Sequence, residues 1–179
     1  MEDEVKVYEF EISGERLLHQ QFVGQEETRA LKALPDKERA EALTYKDDKG
    51  RYGMPNTHVR GSVVEEMVNR APKNMKKTTK ERVSPRIVVE PSFLVLSPQK
   101  YVINRRGIKV EQGGKVSMDF VVQPEFRGWS VKGLLKTTLD DDMRKWLELA
   151  GMEVGVGTNR INGYGRFKVA SFKRVTNEV

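Results

Sequence analysis

The residues with the clearest chemical potential lie in a glycine-rich stretch near the C-terminal end, GVGTNRINGYGRF over residues 155–167. Its two G-x-G pairs let the backbone adopt positive φ angles and approach a bulky group closely. Arg160 and Arg166 add fixed positive charge. This combination predicts a loop that holds a phosphate backbone, and the alternative is a glycine-rich hairpin with scattered arginines. The glycines are Gly155, Gly157, Gly163 and Gly165.

Two common nucleotide-binding motifs do not fit this stretch. A P-loop needs a Lys-Ser/Thr pair to reach the phosphates and Mg²⁺, and that pair is missing. The dinucleotide fingerprint opens a helix after a strand, whereas here a helix-like segment precedes the loop and a strand-like segment follows. The chain has no cysteine, and its only histidines are His19 and His58. We therefore expect no disulfide, no thiol nucleophile, no metal site and no cofactor.

Composition sets the class of protein and partner. The 179 residues are 37% hydrophobic and 32% charged, which suits one soluble globular domain. A net charge of +6 and a pI near 9.5 favour a polyanionic partner. No apolar run approaches the roughly 20 residues of a membrane helix, and the acidic start lacks the basic and apolar regions of a signal peptide. We expect a cytoplasmic protein with no membrane partner.

Periodicity then predicts the elements that position the glycine-rich stretch. Alternating apolar residues over 6–12 indicate a first strand. We interpret residues 14–56 as an insertion with a short helix over 35–43 and a hairpin turned at 48–50. A helix capped by Asn56 or Thr57 follows and ends near residues 70–72. The basic run after it, about residues 72–86, lacks apolar periodicity and is predicted to be a mobile loop.

The second half of the chain reads as strands around one more helix. Residues 87–96 form a strand broken at Pro91, and residues 116–122 form another. Turn signals lie at 104–107 and 112–114, and residues 127–130 interrupt the pattern, which leaves Trp129 exposed.

A second helix begins near Thr138 and ends at Gly151. The three aspartates at 140–142 in its first turn oppose the helix dipole, with a metal site as the weaker alternative. A last strand runs from Tyr164 to about Val175. Tyr164, Arg166 and Lys168 then lie on one side of it, where they offer a stacking ring and two cations.

The order strand, helix, strand, strand, helix, strand predicts an α+β fold of the ferredoxin-like (RRM-like) βαββαβ type. Such a fold is a four-stranded antiparallel sheet with two helices on one face and the other face free to bind. We expect a single domain over residues 1–179 with long inserted loops.

At this point the chain resembles the RAMP proteins (repeat-associated mysterious proteins) of CRISPR systems. A G-x-G-x₅-G-x-G loop between the second helix and fourth strand is their signature. Residues 47–62, DDKGRYGMPNTHVRGS, are similar to the G-x-P-Y-I-P-G-S-S-L-K-G hairpin and helix start of the backbone subunits in effector complexes. The resemblance implies RNA near Arg60 and a close helix approach at Gly61. The chain departs from the pattern at Asn56 and at Thr57-His58.

We therefore predict a binding protein rather than an enzyme. It would hold single-stranded RNA or DNA and assemble as repeated subunits, either in a filament along the strand or in a multisubunit ribonucleoprotein. The predicted nucleic-acid-binding residues are Arg60, Lys76, Lys77, Lys80, Arg105, Arg106, Gly155, Gly157, Arg160, Gly163, Tyr164, Arg166 and Lys168.

Two alternatives stay open. Processing enzymes of the resembled family often use a histidine near the first helix, so His58 could act as general base of a metal-independent endoribonuclease that processes guide RNA. Backbone subunits that cut RNA use an aspartate ahead of the proline hairpin, where residues 34–43 offer Asp36, Glu38 and Glu41. The other alternative is a subunit whose basic loops clasp a protein partner.

Overall fold

The computed structural model describes residues 4–21 and 23–175, and the first three residues of the acidic start lie outside this range. The strands are β1 Lys6–Leu18, β2 Gly53–Pro55, β3 Ile87–Glu90, β4 Phe93–Val95, β5 Val102–Gln112, β6 Lys115–Thr137 and β7 Lys168–Arg174. The helices are α1 Gln25–Lys32, α2 Asp36–Ala42, α3 Asn56–Arg70, α4 Lys76–Val83 and α5 Met143–Glu153. Among these described helices none is long and apolar enough to span a membrane.

The main sheet confirms the predicted fold class. Its central strands lie in the order β3-β6-β1-β7, and the pairs β1–β6, β1–β7 and β3–β6 are all antiparallel. Taken as the first, second, third and fourth strands of the fold, β1, β3, β6 and β7 follow the split βαβ pattern. Helices α3 and α5 connect them and pack against each other.

A long hairpin extends this sheet. The first half of β6 pairs with β5, from Val102 opposite Glu125 to Gln112 opposite Lys115. Glu125 also pairs with Leu18 of β1, so β5 and β1 lie on opposite edges of β6. We call residues 102–125 the hairpin. It contacts α1 and α2 through the ion pairs Lys32–Asp119 and Arg105–Asp36, and many of its side chains are exposed.

Two predicted breaks in this region were wrong. The turn expected at 104–107 lies in the middle of β5, because the strand partner supplies hydrogen bonds that local sequence does not reveal. The interruption expected at 127–130 lies inside β6, where Gly128 adopts φ +57° and pairing with β1 continues. Trp129 is fully buried rather than exposed, and its ring packs edge-on against Phe167.

The core lies between the sheet and the α3–α5 layer. Phe10 and Ile12 of β1 are buried, as the alternating pattern predicted. Val59 and Val63 of α3 and Leu147 of α5 pack into the same cluster. One face of the sheet is therefore filled by core side chains and helices, and the other stays open.

The predicted insertion is shorter than expected. β1 continues to Leu18, so only the residues after it depart from the sheet. The predicted short helix is present as α2. The turn predicted at 48–50 is also present, and Lys46 and Tyr52 on either side of it form a β-bridge. The strand predicted over 87–96 is broken, and its halves join different sheets, β3 with β6 and β4 with β2.

Helix α3 begins where the sequence predicted, but without the predicted cap. Asn56 is its first helical residue, and no side chain caps the N-terminus. The Asn56 amide instead donates to the Val89 carbonyl at 2.5 Å. Gly61 does not serve a close helix contact either, because a Cβ added there would meet nothing within 4 Å.

The basic segment after α3 is a helix rather than a mobile loop. Residues 76–83 form α4, flanked by short 3-10 turns, and α4 packs against α3. Val83 is fully buried at its end. One well-placed apolar residue and tertiary packing outweigh the weak apolar periodicity on which the loop prediction rested.

The last elements shift by several residues. α5 begins at Met143, after Asp142, whose carboxylate accepts from the Lys145 amide at 3.1 Å. Asp140 pairs with Lys6, and no group of three metal-ligating side chains exists in the part of the chain that the structure describes. The helix continues through Gly151 to Glu153.

Candidate nucleic-acid interface

The glycine loop, residues 155–165, closes on itself and on the end of β1. The Val156 amide donates to the Gly165 carbonyl at 2.9 Å, and the Gly165 amide donates to the Arg16 carbonyl at 2.8 Å. Gly165 has φ +74°, and a Cβ there would lie 1.7 Å from the Val156 carbonyl oxygen. The glycine pairs therefore serve backbone packing within the loop. For the two G-x-G segments, residues 155–157 and 163–165, the alternative prediction of a tight glycine-rich turn is correct.

The apex of the loop, residues 158–162, is left to project from this closed base. The Thr158 amide donates to the Leu18 carbonyl at 3.2 Å, which fixes where the apex starts. Asn159 adopts the left-handed conformation at φ +57°, and Ile161 is 92% exposed. A rigid base thus presents a short polar apex.

Tyr164 and Arg166 lie before β7, so the prediction that they share a face of a last strand was wrong. The strand starts at Lys168, and residues 163–165 form a turn. Positive φ angles at Gly163 and Gly165 take the backbone out of the extended conformation that alternation requires.

Between the apex and the hairpin lies a cavity of about 400 Å³, which we call the loop groove. Arg106 of β5 lines it, and its guanidinium donates to Gln123, which in turn donates to Gln20 at 2.8 Å. The Nε of Arg106 and the Nδ2 of Asn159 are both buried, and neither has an acceptor among the described residues. Two donors on one groove lack acceptors, although buried polar groups are nearly always hydrogen-bonded.

A buried carboxylate fixes the hairpin to the loop and β1. Glu125 is fully buried and accepts from Nε and Nη2 of Arg16 at 2.8 and 2.9 Å. It also accepts from Asn104 at 2.6 Å and from Arg127 at 2.8 Å. The Arg16 hydrogen bonds lower the pKa of Glu125 to about 2, and the same contact raises the pKa of Arg16. Because its carboxylate is buried and multiply bonded, this ion pair has a defined geometry that exposed pairs lack.

Tyr164 is part of the same network rather than a free stacking ring. Its hydroxyl accepts from Arg16 at 2.9 Å and from Asn104 at 3.3 Å. The guanidinium of Arg16 lies 4.5 Å from the ring centroid, and that of Arg106 lies 5.5 Å from it. The ring therefore positions two cations, a role that the alternation pattern did not suggest.

A second, smaller cavity of about 220 Å³ separates α3 from the glycine loop, and we call it the α3 cleft. His58 and Gly61 line it from α3, and Arg160 lines it from the loop. Arg160 pairs with Glu65 at 2.9 Å, so its charge is partly compensated. The first turn of α3 faces this cleft without a side-chain cap, which leaves backbone amides that favour an anion.

His58 is neutral at pH 7 in this cleft. Burial and then the neighbouring Arg160 charge lower its pKa below the usual 6.5. Its ring contacts Tyr45 edge-on at 5.2 Å, and Tyr45 contacts His19 in the same manner. His19 is fully buried, and burial followed by the charge of His58 lowers its pKa to about 3.

Arg60 and the lysines of α4 lie away from the loop groove and the α3 cleft. The Arg60 guanidinium donates to the Ile87 carbonyl and the Ser84 hydroxyl, both at 2.8 Å, and lines neither cavity. It ties α3 to the segment after α4. Exposed lysines follow on α4, among them Lys76, Lys77 and Lys80.

Arg105 and Arg106 are separated although they are adjacent in sequence. Successive strand residues point to opposite faces. Arg105 lies over the Phe120 ring at 4.4 Å and 3.6 Å from Asp36, whereas Arg106 faces the glycine loop. Of the two, Arg106 belongs to the loop groove.

Arg166 and Lys168 line a third cavity, of about 730 Å³, which we call the Trp129 cavity. It lies between β1, the Gly128–Ser130 part of β6, the end of α5 and the start of β7. No residue that lines it also lines the loop groove or the α3 cleft. Predicted loop residues therefore line several cavities, and Arg160 and Arg166 also share a fourth one, of about 490 Å³, with Asn159.

The open sheet face lacks the expected stacking platform. Lys132 pairs with Glu11 at 3.4 Å, and Lys136 pairs with Glu90 at 2.6 Å. No aromatic residue points to this face from the described residues of β1, β3, β6 or β7. The charges of these two lysines are compensated within the face.

Among the candidate catalytic carboxylates, Glu41 has a structural role. Glu41 accepts from the hydroxyls of Tyr52 and Tyr101, the closer at 2.6 Å, and it pairs with Lys46. Desolvation opposes these contacts, yet the pKa of Glu41 falls because the hydrogen bonds from Lys46 and the tyrosines prevail. It holds the insertion to the start of β5 rather than facing a cavity.

Sequence reasoning missed five residues of the loop groove and its support: Arg16, Gln20, Asn104, Gln123 and Glu125. One signal was present, since the polar residues Gln123 and Glu125 lie between the apolar Val122 and Phe126. A carboxylate in a buried strand is stable only when cations or hydrogen-bond donors pair with it. Its partners are distant in sequence, so the pattern could not name them.

Comparisons with known proteins show likeness at the level of fold. Neither a protein-family model nor a curated protein sequence matches the chain. A chain in the cryo-EM structure of the Type III-B Cmr-beta bound to cognate target RNA matches with a TM-score of 0.65 at 11% identity. That match covers 96% of this chain and 61% of the other, so this chain spans less than two thirds of its length.

A second similar structure is Cmr6 from Pyrococcus furiosus, with a TM-score of 0.48, 9% identity and coverage of 96% of this chain and 100% of that chain. The first likeness shows that the chain has the fold of a chain in the Cmr-beta structure. At this identity it shows the fold alone.

Proposed function

We propose that this protein binds single-stranded RNA in the loop groove and the α3 cleft, as one subunit of a multisubunit ribonucleoprotein. The observation that carries the proposal is the pair of buried donors without acceptors among the described residues, Arg106 Nε on the hairpin side of the groove and Asn159 Nδ2 on the apex side. A phosphate oxygen accepts hydrogen bonds from amide and guanidinium groups alike, and binding it there would satisfy both donors.

The α3 cleft extends this surface on the other flank of the glycine loop. Arg160, whose charge Glu65 partly compensates, and the uncapped first turn of α3 both favour an anion there. The groove and the cleft both border the loop apex, so a sugar-phosphate backbone that crosses the apex would contact both. Such contacts fix the strand without reading its sequence.

The fold supports membership of a larger assembly. The similar Cmr-beta chain comes from a complex bound to its target RNA, and the G-x-G-x₅-G-x-G loop resembles that of RAMP proteins. We infer a RAMP-like subunit whose hairpin and basic α4 contact the strand or the next subunit. Assembly as repeated subunits along a strand belongs to this proposal.

Binding of labelled single-stranded RNA and DNA of equal sequence, in EDTA and across a salt series, tests the proposal. We expect tight RNA binding that weakens steeply with salt. The double variant Arg106→Ala/Arg160→Ala should bind about 10-fold or more weakly, with a salt slope lower by about 1.4, since each lost phosphate contact removes about 0.7.

The matched control is Lys132→Ala/Lys136→Ala on the open sheet face, which also removes two positive charges. It should leave affinity and salt slope nearly unchanged. Equal losses in both double variants would show charge attraction without a site, and the proposal would fail. Preference for DNA would correct the ligand class. Absence of binding to either strand would leave the protein-partner alternative.

One observation favours a second function, endoribonuclease activity. His58 is neutral and lies in the same cleft as Arg160, so it could accept a 2′-hydroxyl proton while the arginine stabilises the developing charge. The bound strands are therefore also run on a denaturing gel. Cleavage in EDTA that disappears in His58→Ala would establish a nuclease, and intact strands would exclude it.

A further inference from the structure

The Trp129 cavity has a lining that the proposed RNA surface does not use. Two of its donors are buried and have no acceptor within residues 4–21 and 23–175: the indole Nε1 of Trp129 and Nη1 of Arg166. Trp129 itself is fully buried. Since buried donors are nearly always paired, two unpaired donors on one cavity point to a missing acceptor.

The charges around the cavity favour an anion. Arg16 is compensated by Glu125, and Glu11 by Lys132. Lys168 and Arg166 form no ion pair in the described chain, and both lie on the cavity wall. The exposed Glu15 opposes them with one negative charge, so the local balance remains positive.

Part of the remaining wall is apolar, and the volume is that of a small-molecule site. Phe167 and Met152 line the cavity beside the donors. Its volume of about 730 Å³ falls in the range of about 300–1,000 Å³ that is usual for ligand pockets. A ligand that fits would combine a flat apolar body, ring or carbonyl acceptors and an anionic group.

We propose that the Trp129 cavity binds a nucleoside monophosphate, either free or as one nucleotide of a bound strand. The phosphate would meet Lys168 and Arg166, and a base acceptor would receive the indole N–H. The free form is independent of the RNA-binding proposal, whereas the strand-borne form rests on it.

Calorimetric titration of the full chain with AMP, GMP, CMP and UMP is the direct test, with inorganic phosphate and adenosine as separate arms. We expect saturable binding of at least one mononucleotide, at least 10-fold tighter than either inorganic phosphate or adenosine. Binding should also change the emission of Trp129 in a Trp146→Phe background. No saturable heat from any mononucleotide would overturn the proposal.

Variants locate the binding. Arg166→Gln and Lys168→Gln should each weaken it at least 10-fold, and the matched control Lys173→Gln, also an exposed cation of β7, should not change it. Met152→Trp should block the cavity without disturbing the core, because Met152 is 66% exposed. Binding that survives both Arg166→Gln and Met152→Trp lies elsewhere and contradicts the proposal.

Measuring RNA affinity in parallel separates the two proposals. Loss of mononucleotide binding with intact RNA binding in Arg166→Gln would establish a site for free nucleotides. Loss of both would place one nucleotide of the strand in the cavity. Mononucleotide binding by a chain that does not bind RNA would support this site while the proposed function fails.

Discussion

The loop groove and the open sheet face carry the same kinds of charged residue but organise them differently. On the sheet face, Glu11 and Lys132 are partners across neighbouring strands, and both are solvent-accessible. Around the groove, the buried Glu125 joins β1, the hairpin and Arg127. Exposed pairs contribute little to stability, typically below ~1 kcal/mol, whereas a buried carboxylate with several donors fixes geometry.

The difference bears on function. The sheet face pairs Lys132 and Lys136 with carboxylates and leaves no buried donor without an acceptor among the described residues that form it. The groove instead keeps Arg106 Nε and Asn159 Nδ2 unpaired beside a rigid loop. A rigid surface whose buried donors lack acceptors is suited to bind a ligand. Four perturbations test this difference between the loop groove and the sheet face.

The largest loss of stability is expected where the glycine loop packs against the end of β1. Gly165→Ala would place a Cβ 1.7 Å from the Val156 carbonyl at φ +74°, so either the loop or its contact with β1 must move. We expect destabilisation by ~3 kcal/mol or more, measured by chemical denaturation.

Gly61 of α3 is the control position, because a Cβ added there would meet nothing within 4 Å. Gly61→Ala should stabilise the fold by ~0.5–1 kcal/mol, because alanine restricts the unfolded chain and favours helix. A Gly165→Ala protein of normal stability would show that the loop base is not rigid.

The second prediction concerns the contribution of the buried Glu125 carboxylate to the free energy of unfolding. With a pKa of about 2 against 4.5 in the unfolded chain, Glu125 contributes stability that is present above pH 4.5 and is lost as the pH falls toward 2. Glu125→Gln should therefore lose about 3 kcal/mol of unfolding free energy at pH 7 and show a flatter acid limb.

Glu90→Gln on the sheet face provides the comparison. Its partner Lys136 lies at 2.6 Å, but the Glu90 side chain is 44% exposed. Its loss should cost under ~0.5 kcal/mol. Similar losses in the two variants would remove the distinction between the two regions.

The third prediction concerns the loss of stability in acid that the buried His19 should cause. The pKa of His19 is about 3 against 6.5 when unfolded, so the folded state holds a neutral imidazole while the unfolded chain gains a proton below pH 6.5. Stability should fall as pH drops from 6.5, by about 2 kcal/mol at pH 5.

His19→Phe keeps an aromatic ring between Tyr45 and Phe126 and removes this titration. Its unfolding free energy should fall less than that of the wild type from pH 7.5 to 5, and the loss that remains should come from His58, whose pKa is also lowered. Parallel curves for the two proteins would assign the acid sensitivity to another group.

The smallest effect concerns the basic helix α4, which belongs to neither region. Lys76→Ala/Lys77→Ala/Lys80→Ala should weaken RNA binding by about 5-fold or less, since these exposed lysines attract phosphate without a built site. The triple control Lys132→Ala/Lys136→Ala/Lys173→Ala should change it less. A loss from α4 larger than that of Arg106→Ala/Arg160→Ala would move the main contact to α4.

Much of the fold followed from the sequence because its signals are local. Alternation in β1 predicted which side of Phe10 and Ile12 is buried, and helical spacing predicted the face that Val59 and Val63 of α3 present. The glycine pattern predicted a loop between α5 and the last strand. Each of these depends on a period or a backbone conformation that a few neighbouring residues impose.

The site was predicted less well because its contacts are distant in sequence. Glu125 meets Arg16, which lies 109 residues away, and Tyr164 meets Asn104 across 60 residues. Hairpin register separates Arg105 from Arg106, and sheet pairing buries Trp129. The sequence by itself determined the strands and helices of the βαββαβ core, the positive charge and the glycine loop. Only the tertiary structure decided which cations are compensated and which donors lack acceptors, because both depend on partners that strand pairing brings together.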